Sequence, residues 1–318
     1  MTPMRIFRTN IKNDKVCSSI FAIFTYIGCT TINVLLELNF YPVTRRGFFC
    51  NDNSIKYPYQ EQTVSSRLNA LIHFGVAIAT FIIGEFNHTC AIKKPTYKEG
   101  YKISKSIFGN HRWYVRAIKL FMMCVWCSTQ TLMLTSIIKT EVGWLRPNFL
   151  AVCNPNITCT ANSTKFHEDY VCLGTKLIGE WKRISGKLEW NVNEKSEPGI
   201  NQARRSFPSG HASSSAAFAS FNILYIEKRI KPSNKYVLLK PFVQLIWVCI
   251  SAFVAFSRVK DYYHHLQDVI FGAILGSSVS LLAGKFCMKW LLSISVDKFT
   301  ISNKVHPNNV KVNANKIV

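Results

Sequence analysis

Apolar residues gather into six blocks separated by polar, lysine-rich stretches. The blocks run roughly over Val16–Leu38, Leu68–Ile83, Val115–Ile138, Ala212–Ile226, Val237–Phe256 and Val269–Leu292. Each is long enough, or nearly so, to cross about 30 Å of hydrocarbon as a helix. The second and fourth are short, and their helices are expected to extend into flanking residues. The first is too long for the apolar region of a cleaved signal peptide and lacks an obvious small-residue cleavage site, so it reads as a signal anchor. The pattern predicts an all-α polytopic membrane protein with six transmembrane helices. Its membrane domain spans residues 16–292, with a long outer loop at 147–207. A cytosolic N-terminus, 1–15, precedes it, and a polar, lysine-rich tail, 293–318, is expected to be disordered. No internal repeat or low-complexity segment stands out.

Charge fixes the orientation of these helices. The chain combines 48% hydrophobic residues with a net charge of +22, a pairing natural to a membrane protein with basic loops. A nucleic-acid binder would need a soluble basic face, whereas these lysines are dispersed between apolar blocks, so nucleic acid is not an expected partner. With six crossings both termini share a side. Segments on that side carry 21 lysines and arginines against about 16 on the other, and ten of the 16 fall in one long loop, which counts weakly. The termini are therefore expected in the cytosol. Two glycosylation sequons, at Asn156 and Asn162, fall in the long outer loop; a third, at Asn87, falls on the cytosolic side and should be unused. Of eleven cysteines, Cys50, Cys153, Cys159 and Cys172 lie in outer loops. Four in an oxidising compartment imply two disulfides, with three connectivities open. The other cysteines lie in or beside helices and read as small apolar residues. No Cys/His grouping has zinc-site spacing, so no metal site is expected.

Three polar islands interrupt the helix ends. The first is Lys139, six residues, then Arg146-Pro147. The second is Pro208-Ser209-Gly210-His211. The third is Ser257-Arg258, five residues, His264, three residues, Asp268. The topology puts all of them on the outer side, although nothing in the motifs required it. Lys139, Arg146 and Arg258 can surround a phosphate dianion, the arginines in bidentate fashion. Ser209 is a natural N-cap, Gly210 lets backbone approach a ligand, and a helix N-terminus binds anions. His264 and Asp268 are four apart, a spacing that puts them on one helix face. The carboxylate can hold one imidazole nitrogen as N–H and leave the other free to attack phosphorus. His211 is then the acid for the leaving alkoxide. Three fixed cations can replace a metal in stabilising the transferring group, so no cofactor and no magnesium are expected. Each island alone has a structural explanation: a snorkelling lysine, a turn with an N-cap, a structural His–Asp pair. His265, next to His264, blurs that pair. The three in order at one membrane face point to phosphate transfer.

With these residues the chain resembles the type 2 phosphatidic acid phosphatase superfamily, whose signature is K-x6-R-P, P-S-G-H and S-R-x5-H-x3-D. Within it the chain is similar to the animal lipid phosphate phosphatases, through Gly47–Asp52 and Ser54–Tyr59 in the first outer loop, then Arg146–Leu150, Cys153–Pro155, Phe207–Ala212 and Ser257–Val269. The resemblance covers about residues 16 to 292. It implies a six-helix membrane phosphatase whose core is shared with vanadium haloperoxidases. It also implies magnesium-independent removal of phosphate from phosphatidate, lysophosphatidate, sphingosine 1-phosphate and ceramide 1-phosphate through a phosphohistidine. It gives Lys139, Arg146, Ser209, Gly210 and Arg258 the role of binding phosphate, and makes His211 the acid, His264 the nucleophile and Asp268 its orienter. The partners it implies are phospholipid and sphingolipid phosphates, the bilayer and a second copy of the chain in a homo-oligomer. The expected location is the plasma membrane with the site outside, or internal membranes with the site luminal. A non-catalytic lipid-binding or adhesion protein on the same scaffold is the alternative, but binding alone needs no His211 and His264. A transporter would call for polar residues through the membrane midplane.

Overall fold

A computed structural model describes residues 20–21, 23–38, 40–92, 112–159, 164–174, 179–184, 187–192, 197–230 and 237–304. The N-terminal segment 1–15, Asn162 and the last part of the tail lie outside the described residues. Among the described residues eight α-helices follow one another: α1 (Ile23–Glu37), α2 (Ser66–Ile92), α3 (Arg112–Val142), α4 (Phe149–Cys153), α5 (Glu197–Ala203), α6 (Gly210–Arg229), α7 (Leu239–Lys260) and α8 (Leu266–Lys304). Four of them, α2, α3, α7 and α8, are long and apolar enough to cross a membrane. The chain is a multi-pass membrane protein. Each of the six expected blocks carries a helix, but two of those helices fall short of that measure. The described apolar part of α1 is Ile23–Glu37. In α6 the deficit is one of composition: it carries Ser213, Ser214, Ser215 and Asn222, all buried. The other helices surround α6, so it meets protein rather than lipid and does not need an apolar exterior.

Helix ends depart from the apolar blocks for local reasons. The second helix runs from Ser66 to Ile92, past both ends of its block. Lys139 lies inside the last turn of α3 rather than beyond it, because the helix continues through Lys-Thr-Glu-Val. Gly143 then stops it in the left-handed region, φ 59°, with its N–H on the Lys139 carbonyl. At the other end of the chain α8 continues past Leu292 to Lys304. Helical hydrogen bonding tolerates polar side chains once the helix leaves the hydrocarbon, so hydropathy marks the membrane and not the helix end.

Small residues set the packing between α6 and α8. A Cβ on Gly272 would lie 2.6 Å from the Ser209 carbonyl oxygen, and one on Gly276 would overlap the Ser213 carbonyl. The backbones touch there, and Ser280 Oγ donates to the Ala217 carbonyl at 2.8 Å. In lipid, such close approach and its dispersion energy hold helices together, because burying apolar surface gains little against apolar tails. Further down, Phe81, Leu120, Phe221, Tyr225 and Trp247 fill the space between α2, α3, α6 and α7.

Above the bundle the loops form a cap. Strands β1 (Phe48–Phe49) and β2 (Phe166–His167) pair antiparallel, and β3 (Gly179–Ile184) and β4 (Lys187–Val192) form a hairpin. Phe48, Ile55, Leu145, Phe149 and Val152 pack beneath β1 and β2. Disulfides Cys50–Cys159 and Cys153–Cys172, with Cα atoms 5.3 and 4.6 Å apart, staple this cap. One of the three open connectivities is thereby selected. β1 and β2 are too short for alternation to announce them, and none of the four strands was expected from the sequence.

Candidate active site

Four helix ends meet under the cap and carry the eight residues expected for phosphate binding and catalysis to one place. Lys139 comes from the end of α3, Arg146 from the loop after it, Ser209, Gly210 and His211 from the start of α6, and Arg258 from the end of α7. His264 comes from the α7–α8 turn and Asp268 from the first turn of α8. Lys139, Arg146, Gly210, His211, Arg258 and His264 all line one cavity of about 670 Å³. Ser209 and Asp268 stand behind them, fully buried.

The start of α6 is built for an anion. Ser209 caps the helix, its Oγ accepting from the Ala212 N–H at 3.5 Å, and its own N–H is spent on the Asp268 carbonyl at 3.0 Å. Of the first-turn N–H groups this leaves those of Gly210 and His211 for a ligand. Ser209 can therefore support an anion at the helix start only through the cap and not through its own amide. Lys139 Nζ lies 3.7 Å from where a Cβ on Gly210 would sit. The missing side chain gives the ammonium access to the helix start.

The two arginines are both held against Tyr263. Each guanidinium carbon lies 5.2 Å from the Tyr263 ring centre. Arg258 Nη2 donates to Asp261 Oδ2 at 2.6 Å and Nη1 to Gln62 Oε1 at 3.2 Å. Asp261 is fixed in turn by the Thr63 N–H and hydroxyl, at 2.8 and 2.6 Å. Arg146 Nη2 donates to Gln202 Oε1 at 3.2 Å. Both guanidiniums keep a buried Nε without a hydrogen-bond partner, a donor surplus that an anion would satisfy. Burial, helped by nearby Arg258 and Arg205, pulls the Arg146 pKa down to about 10, so it stays charged at neutral pH. The sequence reading missed Tyr263, Gln62, Asp261 and Gln202. Tyr263 and Asp261 lie inside the third island, but only their partners from other elements reveal their use.

The histidine–carboxylate pair differs from the spacing argument. His264 is not on a helix: it sits in the turn Asp261–His265, and α8 begins at Leu266. Asp268 is the third helical residue and reaches back to accept from the His265 N–H at 2.9 Å, as a capping-box acid does. His265 Nδ1 lies 3.2 Å from the same Oδ2, and Ser206 Oγ donates to it at 2.6 Å. His264 Nδ1 stands 3.8 Å away, beyond hydrogen-bond reach. Its Nδ1 and Asp268 Oδ1 are both buried without a partner. An N–H and an open carboxylate oxygen are complementary, and catalytic hydrogen bonds commonly tighten when the ligand binds. Burial pushes the His264 pKa well below its ordinary value; Lys139 and Arg146 push the same way, against Asp268. At neutral pH the imidazole is therefore unprotonated, the form a nucleophile needs.

Other expected sites fall elsewhere. Asn156 is exposed in the cap, with its Oδ1 accepting the Val171 N–H at 2.9 Å. Asn87 is exposed near the far end of α2. Among the described residues, no three His, Cys, Asp or Glu side chains are grouped to hold a metal ion.

A helical membrane bundle with three basic residues and two histidines lining one cavity at its end defines a class, and comparison with known proteins gives its family. Residues 117–291 match the PAP2 superfamily, and the chain belongs to that family. It is 34% identical over 241 residues to phospholipid phosphatase 1 of Rattus norvegicus, covering 75% of this chain and 73% of that one. It is 33% identical over 248 residues to phospholipid phosphatase 1 of Mus musculus, covering 76% and 75%. Phospholipid phosphatase 2 of Mus musculus is 32% identical over 247 residues, covering 76% of each. No solved structure matches the chain.

Proposed function

We propose that this protein is an integral-membrane lipid phosphate phosphatase. The observation that carries the reading is the cavity. Its head holds three cations, a helix N-terminus and two histidines. Its lower part descends between the helices past Phe74, Val125, Leu132 and Phe218. An anionic headgroup on an apolar chain fits such a space. The relatives named as phospholipid phosphatases support it. Its substrates on this reading are phosphate monoesters of phosphatidate, lysophosphatidate, sphingosine 1-phosphate and ceramide 1-phosphate.

The dianion sits between Lys139, Arg146, Arg258 and the N–H groups of Gly210 and His211. His264 Nε2 attacks phosphorus as the bond to the lipid oxygen breaks, and protonated His211 gives its proton to that oxygen. Burial, with Arg258, Lys139 and Arg146, pulls the His211 pKa down to about 3, and the bound dianion opposes that shift and favours the protonated form. The neutral lipid alcohol leaves. Water then attacks the phosphohistidine, losing a proton to His211, which releases inorganic phosphate and restores both histidines. Charge on the phosphoryl oxygens is met throughout by fixed cations, and the reading therefore includes independence from magnesium. Purified protein in detergent is expected to release phosphate from these lipids in excess EDTA, and vanadate to inhibit by resembling the pentacoordinate transition state. Strict dependence on added magnesium would contradict the mechanism.

The same reading orients the site to the outer or luminal face, where positive-inside bias and the cap disulfides support it. Glycosidase treatment should increase the mobility of the wild-type protein but not of an Asn156→Gln/Asn162→Gln variant. A shift abolished only by Asn87→Gln would invert the orientation.

A further inference from the structure

One buried histidine in the cavity has no part in the steps above. His73 lies on α2, two turns below the cavity mouth at Ser66, or about 10 Å along the helix. It is 1% exposed and lines the same cavity as His211 and Ser214. Its Nδ1 is 2.8 Å from the Asn69 carbonyl oxygen. A carbonyl accepts only, so Nδ1 carries the proton and a neutral ring presents a lone pair at Nε2. That atom is buried and has no hydrogen-bond partner. The rings of Phe218 and Trp247 stand 5.4 and 6.4 Å away.

Nearby polar groups are already committed. Asn69 Nδ2 donates to Ser214 Oγ and its Oδ1 accepts from Ser215 Oγ, each at 3.2 Å. Ser214 Oγ donates to the His211 carbonyl at 3.3 Å. A polar step thus runs from the acid histidine down to His73, and it ends in an open acceptor just above the apolar slot. A buried acceptor left unpaired is destabilising, because it has lost water and gained no partner. A ligand that brings a donor to this depth recovers that loss.

We propose that His73 is a specificity-determining residue that accepts a hydrogen bond from the backbone of the lipid. On this proposal, which rests on the phosphatase reading above, the cavity favours a particular substrate class. Its members keep a free hydroxyl or N–H one or two carbons beyond the phosphate-bearing carbon. Lipids with every backbone hydroxyl esterified offer only acceptors to this position, and acceptor faces acceptor. Discrimination through a hydrogen bond of this kind is strong because the wrong partner leaves a buried polar group unpaired.

The test compares kcat/KM of the full-length protein in mixed micelles for oleoyl lysophosphatidate, its 2-deoxy analogue, dioleoyl phosphatidate and p-nitrophenyl phosphate. For the wild type, removing the 2-hydroxyl should lower kcat/KM by about ten- to hundred-fold. His73→Leu should lose the same factor on lysophosphatidate and almost nothing on the other three. His73→Gln, whose Oε1 is an acceptor, should recover part of the loss. Equal rates for lysophosphatidate and its 2-deoxy analogue on the wild type would overturn the proposal, and this arm needs no variant to fold. So would a His73→Leu loss that is uniform across all four substrates. A wild-type protein that releases phosphate from none of the lipids sinks the phosphatase reading instead, a result distinct from an unmoved ratio.

Discussion

His264→Ala is expected to lose at least about 10³-fold in kcat on any lipid phosphate while the protein inserts, folds and forms its disulfides as before. Loss of a nucleophile commonly costs this much or more, because the residual machinery can only bind and polarise. The turn holding His264 supports normal folding of the variant. The His264 N–H donates to the Arg258 carbonyl at 3.2 Å and the Tyr263 N–H to the same oxygen at 3.1 Å, so the backbone holds the turn without the ring. Asp268→Asn should fail for two reasons. An amide can present the wrong group to His264, and it also weakens the capping bond to the His265 N–H and the acceptor for Ser206. A thermal-stability measurement therefore separates the variants: His264→Ala melts close to wild type, and Asp268→Asn melts lower. Trapping of radiolabelled phosphate on wild type in an acid-labile, base-stable linkage, absent from His264→Ala, reports the intermediate itself. Full turnover by a correctly inserted His264→Ala protein would remove His264 from the mechanism.

The convergence of the eight expected residues was legible because each belongs to a short motif at or next to an outer helix end, and at those ends the apolar blocks stop within about a turn of the helix. Their convergence followed from topology alone: odd and even crossings placed the ends on one face. What the sequence could not show is how each group is held. Spacing of four between His264 and Asp268 suggested a shared helix face, but the helix starts two residues after His264, and the carboxylate turns back to cap it. Periodicity describes a helix interior and fails at its first turn, where capping decides the geometry. The second supports, Thr63 on Asp261, Gln62 on Arg258 and Gln202 on Arg146, are long-range pairs of ordinary polar residues. Nothing local distinguishes a glutamine that holds an arginine from one that faces water. Strands β1 and β2 escaped for a similar reason: two-residue strands have no period, and the disulfides beside them fix them more than side-chain pattern does.

A second large effect is expected at the opposite end of the bundle. Glu85 is buried on α2, 19 residues past Ser66 or about 28 Å down the helix from the cavity mouth. Arg116 Nε of α3 donates to its Oε2 at 2.7 Å. Arg229 of α6 donates through Nε and Nη2 at 2.9 and 3.1 Å, and the Tyr225 hydroxyl donates at 3.3 Å. One carboxylate thus ties three helices and compensates two guanidiniums. Gly84 beside it has no side chain because a Cβ there would overlap the Tyr225 hydroxyl. Glu85→Ala leaves two partly exposed like charges facing a void, a loss toward the lower end of about 3–5 kcal/mol because water still reaches both guanidiniums. The apparent melting temperature in detergent should fall by roughly 10 °C or more. Because the fault lies far from the phosphate site, kcat/KM per folded molecule should stay near wild type below that temperature. Removing the charges together, as Glu85→Leu/Arg116→Met/Arg229→Met, should recover much of the stability, since a well-packed apolar cluster can replace a buried ionic one. Unchanged melting of Glu85→Ala would show that the network contributes little. A loss of turnover at unchanged melting would show instead that this end of the bundle communicates with the phosphate site.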